Sequence, residues 1–268
     1  SKHDFLLVFC SKFMRVLSLV PSLTQTLFDL GLSTDEVVGR TPWCIHPQDK
    51  VEQVMIVGGT KTPNLNKIRN LKPDLIVMDK EENPLKIYQT LQNEGFAIFV
   101  SEVESPRDVP KMLRHLGKAC GRDSAGEQLA LLCEDSLSQI HSTTRRLRTV
   151  PLIWHKPLMA VSPQKYAGAI LSEVGFDVID THPEGNGYPE VSADDFINHD
   201  VELLLLTSEP HKFTLEEGYA ICDMIESAGG KRPMASLIDG EDLTWFGSRT
   251  APALARLLEF HTLLDGTS

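Results

Sequence analysis

The sequence predicts an α/β protein of two Rossmann-like lobes with mainly parallel sheets, bridged by one long backbone helix. Three observations carry this expectation. Short apolar runs alternate with amphipathic stretches along most of the chain, the order of β-α units that builds a parallel sheet. One segment also occurs in two versions: Leu71-Lys72-Pro73-Asp74-Leu75-Ile76-Val77-Met78-Asp79 and His199-Asp200-Val201-Glu202-Leu203-Leu204-Leu205-Leu206-Thr207. Each carries an acidic residue before an uninterrupted apolar run, which reads as a strand buried on both faces, and each leads into a carboxylate-bearing loop. Finally, a long helical pattern separates the halves. Two such lobes on a stiff connector make a cleft, and clefts bind ligands.

The first lobe is expected over residues 14–121. Arg15–Val20 forms a strand, and Ser22 with Gln25 three residues on matches a capping box for the next helix. Leu23, Leu27 and Leu30 share one face of that helix, and Gly31 stops it. Val37-Val38-Gly39 is a second strand. A helix near 64–70, strand 75–78, helix 84–94 and strand 97–100 follow. Ser105-Pro106 opens another helix, with Pro tolerated at the first position.

The connector is expected over residues 122–148. Ser124 and Glu127 match a second capping box. Leu129, Leu132, Cys133, Leu137, Ile140 and Leu147 recur at helical spacing up to the basic Arg145-Arg146-Leu147-Arg148 end, which suits the helix dipole. About 25 residues would span almost 40 Å. The second lobe, residues 149–268, restarts with strand 150–154. Helix 165–174, strand 176–180, helix 192–198, strand 202–207, helix 214–228, strand 234–238 and closing helix 251–264 complete it.

Composition narrows the function. The 268 residues carry a formal net charge of -11, which disfavours a nucleic-acid surface. No apolar run reaches the roughly 18–20 residues of a membrane span. The five cysteines (Cys10, Cys44, Cys120, Cys133, Cys222) show no CxxC spacing. They form no disulfide framework and fit a reducing compartment slightly better. Phe5–Cys10 is shorter than a secretory apolar region, and bulky Phe9 stands where a lipoprotein signal wants a small residue.

Ligands of parallel sheets bind outside the carboxyl ends of the strands. Three tryptophans, Trp43, Trp154 and Trp245, all fall at or just beyond strand ends. With a few polar groups they describe a pocket for a large flat or greasy ligand, Trp245 being the expected central anchor. Their alternative role is packing. Trp43, Cys44 and His46 share one loop, but a metal site there needs further ligands from elsewhere. Gly58-Gly59 allows close backbone approach, in a tight turn or beneath a ligand. Lys156 and Tyr188 lie in loops of the second half. Ser22 is better explained as a cap than as a nucleophile, and no catalytic set stands out. Glu81, Glu82 and Glu209 are either paired acids or solvated loop tips.

Val16-Leu17-Ser18-Leu19-Val20-Pro21-Ser22-Leu23-Thr24, Val38-Gly39, Gly58-Gly59-Thr60 and Leu71-Lys72-Pro73-Asp74-Leu75-Ile76 together resemble the helical-backbone (class III) substrate-binding proteins of metal-chelate ABC importers. Tyr188-Pro189-Glu190-Val191-Ser192 and Trp245-Phe246 are most similar to the vitamin B12-binding branch. The resemblance covers nearly the whole chain from Met14. It implies a non-enzymatic monomer that clamps a cobalamin-like corrinoid or related metal chelate between its lobes, with no resident cofactor or metal. Carried over by position, it implies ligand contacts by Trp43, Tyr188, Trp245, Phe246 and Arg249; His46, Trp154 and Lys156 are added as ligand candidates from their place in strand-end loops. It also implies docking of an acidic residue from each lobe on a membrane permease. Asn66 stands at the first-lobe docking position and Asp194 at the second, so Glu82 and Glu209 are further docking candidates. Asp79 stands where the B12 binders carry a tryptophan. The family is periplasmic or lipid-anchored; a cytoplasmic location is the alternative. The competing reading is a cytosolic tetrapyrrole or metal chelatase-like enzyme using His46 or the cleft glutamates. A third is a relative with a binding role outside transport.

Overall fold

The computed structural model describes residues 13–140 and 146–265, so the Phe5–Cys10 run lies outside the described residues. The chain forms two compact units, the first ending at Ser101 and the second beginning at Glu102.

In the first unit, β1 (Val16–Ser18), β2 (Val37–Gly39), β3 (Leu75–Asp79) and β4 (Ile98–Ser101) form one sheet in the order β2-β1-β3-β4. Every pairing is parallel, with Val16 opposite Leu75 and Ile76 opposite Ile98. All five residues of β3 are buried. Four helices accompany the sheet: α1 (Pro21–Asp29), α2 (Gln48–Val51), α3 (Leu65–Leu71) and α4 (Leu85–Asn93). Leu17, Leu19 and Ile76 pack with Ile68 of α3 and Leu91 of α4 in the core. The expected Ser22–Gln25 capping box does not form. Pro21 already occupies the first turn and Val20 is the N-cap, so Ser22 lies inside the helix. Its buried hydroxyl has no hydrogen-bond partner. The backbone fixed by Pro21 starts the helix earlier than a serine cap would.

The second unit opens with a 3-10 turn, Pro106–Asp108, reciprocally capped by Ser105 and Asp108. It runs into α5 (Val109–Ala119), followed by α6 (Asp123–Ser138). The sheet comprises β5 (Arg148–Trp154), β6 (Met159–Ala160), β7 (Asp177–Val178), β8 (Leu203–Thr207) and β9 (Met234–Ile238). Its order is β6-β5-β8-β9, with β7 also paired to β5. Only β6, unforeseen in the sequence, runs antiparallel among the described strands. The helices are α7 (Tyr166–Glu173), α8 (Ala193–Asn198), α9 (Leu215–Ser227), α10 (Gly240–Thr244) and α11 (Thr250–Asp265). Val150, Leu152, Leu204 and Leu206 meet Phe196 and Ile225 in the core.

Helix α6, in the segment expected as the connector, lies within the second unit and differs from expectation at both ends. It starts at Asp123 rather than behind a Ser124 cap. Glu127 instead pairs with Arg114 at 2.7 Å, and Glu134 reaches the same guanidinium at 2.6 Å. It covers 16 residues and ends at Ser138. Arg148, expected in its last turn, opens β5 and donates from Nε to the His199 carbonyl at 2.7 Å. Sheet pairing of Thr149 with Leu203 therefore takes the segment from the helix. Arg145 lies outside the described residues.

Helices α5 and α6 touch backbone to backbone. A Cβ on Gly126 would sit 2.8 Å from the Leu113 carbonyl oxygen, and one on Gly117 would sit 2.8 Å from the Gly126 Cα. Backbone atoms cannot turn aside as side chains do. Gly126→Ala is therefore expected to cost about 1–3 kcal/mol by overpacking, despite alanine's better helix propensity. A denaturant midpoint equal to or above wild type would disprove this close approach.

Candidate functional site

The carboxyl-end loops of each sheet carry the residues of interest. In the first unit, buried Arg40 organises the loop after β2. It donates from Nε to the Val51 carbonyl at 2.6 Å and from Nη1 to the carbonyls of Thr41 at 3.1 Å and Cys44 at 3.3 Å. Thr24 donates its hydroxyl to the Cys44 sulfur at 3.1 Å, and Thr41 Oγ1 lies 3.2 Å from it. Burial pushes the Cys44 thiol pKa up, so this thiol is a small packing group. The braced loop holds Trp43 outward at 64% exposure, with His46 half-buried beside it in sequence.

Gly58 has φ +111°, and a Cβ there would meet the Asn64 nitrogen and Thr62 oxygen at 2.9 Å. The Gly58-Gly59 pair thus serves a tight turn. Asp79, at the end of β3, is buried. Its carboxylate accepts from Ser101 Oγ at 2.7 Å and from the Glu81 and Glu82 backbone N–H groups at 2.8 and 3.0 Å. Asn83 accepts from the Asp79 N–H and donates to the Leu19 and Thr60 carbonyls. These bonds fix the turn after the strand. Glu82, a docking candidate, is half-buried on this turn.

In the second unit, Trp154 ends β5 at 41% exposure and donates its indole N–H to the Lys156 carbonyl at 3.0 Å. The Lys156 side chain is exposed. Tyr188 is half-buried, with the Lys165 ammonium 5.0 Å above its ring. Near it, a cavity of about 270 Å³ is lined by residues including Ser162, Lys165, Asp180 and His182. Ser162 Oγ and Asp180 Oδ1 are buried without hydrogen-bond partners, while Gln164 donates to Asp180 Oδ2 at 2.6 Å.

Trp245 and Phe246 are buried at 7% and 6% exposure. The Phe246 ring meets Tyr166 edge-on at 5.6 Å, and the Tyr166 hydroxyl lies 2.8 Å from Thr250 Oγ1. Arg249 stacks over Trp245 at 5.9 Å. Its guanidinium lies 2.9 Å from Glu241, 3.4 Å from Asp242 and 3.7 Å from Asp239. Buried Asp242 also receives two hydrogen bonds from Arg256, at 2.5 and 2.7 Å. The Trp245-Phe246-Arg249 group is therefore packed and paired within the fold. Of the docking candidates here, Asp194 is exposed in the first turn of α8. Glu209 is half-buried and accepts from Thr244 Oγ1 at 2.6 Å.

One convergence was not foreseen. His155 follows β5, His211 follows β8, and Glu217 lies in the first turn of α9. Their ligand atoms all lie within 4.8 Å of one another. Each belongs to a carboxyl-end segment, but only the adjacency of β5 and β8 brings them together.

Over residues 16–228 the sequence matches the family described as Periplasmic binding protein. The chain belongs to this family. Among members of the periplasmic binding protein family, the vitamin B12-binding protein of Vibrio parahaemolyticus is 24% identical over 71% of this chain and 69% of its own length. That of Pectobacterium carotovorum is 25% identical over 74% of this chain and 72% of its own. The solved periplasmic vitamin B12 binding protein of Vibrio cholerae superposes with TM-score 0.75 at 19% identity, covering 93% of this chain and 96% of its own. The periplasmic heme-binding protein RhuT of Roseiflexus gives the same TM-score at 18% identity, covering 92% and 97%. The two-lobed α/β architecture is thus that of periplasmic binding proteins, and these relatives are binding proteins rather than enzymes. Among the described residues, no helix is long and apolar enough to cross a membrane.

Burial raises the Glu209 carboxyl pKa; hydrogen bonds from Thr244 and Trp245 oppose the shift, and the nearby Glu241 and Asp239 charges add to it. A raised folded pKa means that the ionised carboxylate costs folding stability above that pKa. The cost vanishes below the ordinary value of 4.5, where both states are protonated. Glu209→Gln should therefore raise Tm at pH 7, with the advantage shrinking as the pH falls toward 4. A Tm difference that does not change over this range would contradict the assignment.

Proposed function

We propose that this chain is the substrate-binding component of an ABC-type importer. Its cargo is a cobalamin-like corrinoid or a related metal chelate such as haem. The carrying observation is the match, over more than two-thirds of their length, to curated vitamin B12-binding proteins. Exposed aromatic walls at the carboxyl ends of parallel strands support the same reading. We assign Trp43 in the first unit, and Trp154 with Tyr188 in the second, as ligand contacts. His46 and Lys156 are their polar neighbours. Apolar burial at roughly 25 cal/mol per Å² supplies affinity, and a few hydrogen bonds fix orientation. Trp245, Phe246 and Arg249 shape the floor of the second unit's loop.

The family points to the periplasm as the working compartment. For docking on a permease, exposed Asp194 is the second unit's carboxylate and Glu82 is the first unit's candidate. Glu209 contributes less, because its carboxylate is engaged by Thr244.

The test is calorimetric titration with cobalamin, cobinamide and haemin, checked by co-elution of the visible absorbance. Saturable binding of one of them is expected. No binding to any would sink the chelate reading and leave the fold intact. Trp43→Ala should weaken binding by about 2 kcal/mol, roughly 30-fold in Kd, with little change in Tm, because the ring is exposed. Trp245→Ala should instead cost about 3–5 kcal/mol of stability, as a buried large-to-small change. An unchanged Kd in Trp43→Ala would remove that ring from the site.

A further inference from the structure

We propose that His155, His211 and Glu217 form a binding site for one divalent transition-metal ion of the zinc type, distinct from the chelate cargo. Glu217 Oε1 lies 2.9 Å from His155 Nδ1 and 3.2 Å from His211 Nε2. Two imidazoles and one carboxylate are a donor set that zinc takes in sites with an open position, and one that iron(II) shares. With metal bonds near 2.0–2.2 Å, tetrahedral ligand atoms stand roughly 3.3–3.5 Å apart. The three donors lie within 4.8 Å of one another, so at most a small side-chain adjustment closes them around an ion.

Each donor is held by something other than a metal. The His211 ring meets Phe213 edge-on at 4.6 Å and Trp154 at 6.0 Å. The His155 ring packs on Phe213 at 5.9 Å. Glu217 Oε2 accepts the Thr214 N–H at 2.9 Å within a capping box, leaving Oε1 turned to the histidines. Outer contacts of this kind orient ligands and raise affinity. Side-chain exposures of 26–29% leave one side open, where water or a small anion completes four-coordination.

The test uses the tag-free full chain with zinc chloride alone, titrated against a chromogenic chelator. Wild type should take up one tight equivalent, raise its Tm on zinc addition, and give the intense visible bands of tetrahedral cobalt when Co²⁺ is substituted. His155→Ala and His211→Ala should each weaken zinc by more than about 100-fold, beyond what losing an outer contact costs. Glu217→Gln retains a capping-box residue, so it should fold normally yet lose the zinc-dependent Tm shift. Absence of a stoichiometric zinc equivalent in wild type would overturn the proposal. So would equal zinc affinity in Glu217→Gln or in the double histidine variant, which places the metal elsewhere.

Discussion

A parallel strand covered by helices on both faces has no side left for water. Every backbone group must then be paired within the sheet, and every side chain must be apolar or hydrogen-bonded. Strands β3 and β8 meet this constraint with five consecutive buried residues each. Neither can shift register without breaking ladders on both edges. The rest of each unit is arranged about that strand: β1 and β4 flank β3, and β5 and β9 flank β8. The same constraint explains the polar residue that ends each run. Asp79 and Thr207 are buried where the chain must turn, and both use side-chain oxygens to tie the turn down. Asp79 takes two backbone N–H groups, while Thr207 donates to Leu152 and Glu209 carbonyls.

Anchored turns make rigid platforms for recognition. In the first unit, Arg40 satisfies three carbonyls of the segment that carries exposed Trp43. In the second, Trp154 is pinned by its own indole bond to the Lys156 carbonyl. Recognition by presented aromatic rings needs such fixed supports, because an aromatic wall that moved would pay ordering entropy on each binding event. The Arg249 and Arg256 pairs with Asp242 bind the start of α11 to α10 in the same way. Both guanidinium groups are engaged by carboxylates of the loop.

The strands were legible because uninterrupted apolar runs have one reading in an alternating α/β pattern, and the family likeness agreed with it. What escaped was set by geometry that periodicity does not encode. The one-turn helix α10 gives no pattern of its own, yet it decides that Trp245 turns inward. Proline at position 21 displaced the serine cap by starting the helix first. The connector pattern overran because Leu147 is apolar in either structure; pairing of Arg148 with Asp177 and of Thr149 with Leu203 decides for the strand. His155, His211 and Glu217 converge only through strand order. By contrast, Trp154 ends β5 and Trp43 lies in the loop after β2, as their sequence positions indicate, and both are exposed.

The three tryptophans also give the molecule two optical populations. Exposed indoles emit at longer wavelength than a buried one, so Trp43 and Trp154 supply the red side of the emission and Trp245 the blue. On the proposed function, a bound chelate lowers the emission intensity, because corrinoids and haem absorb where indoles emit. Unfolding instead changes the wavelength, moving the blue component into the red. Intensity would then report occupancy and wavelength the integrity of the fold, in a single spectrum without any added label.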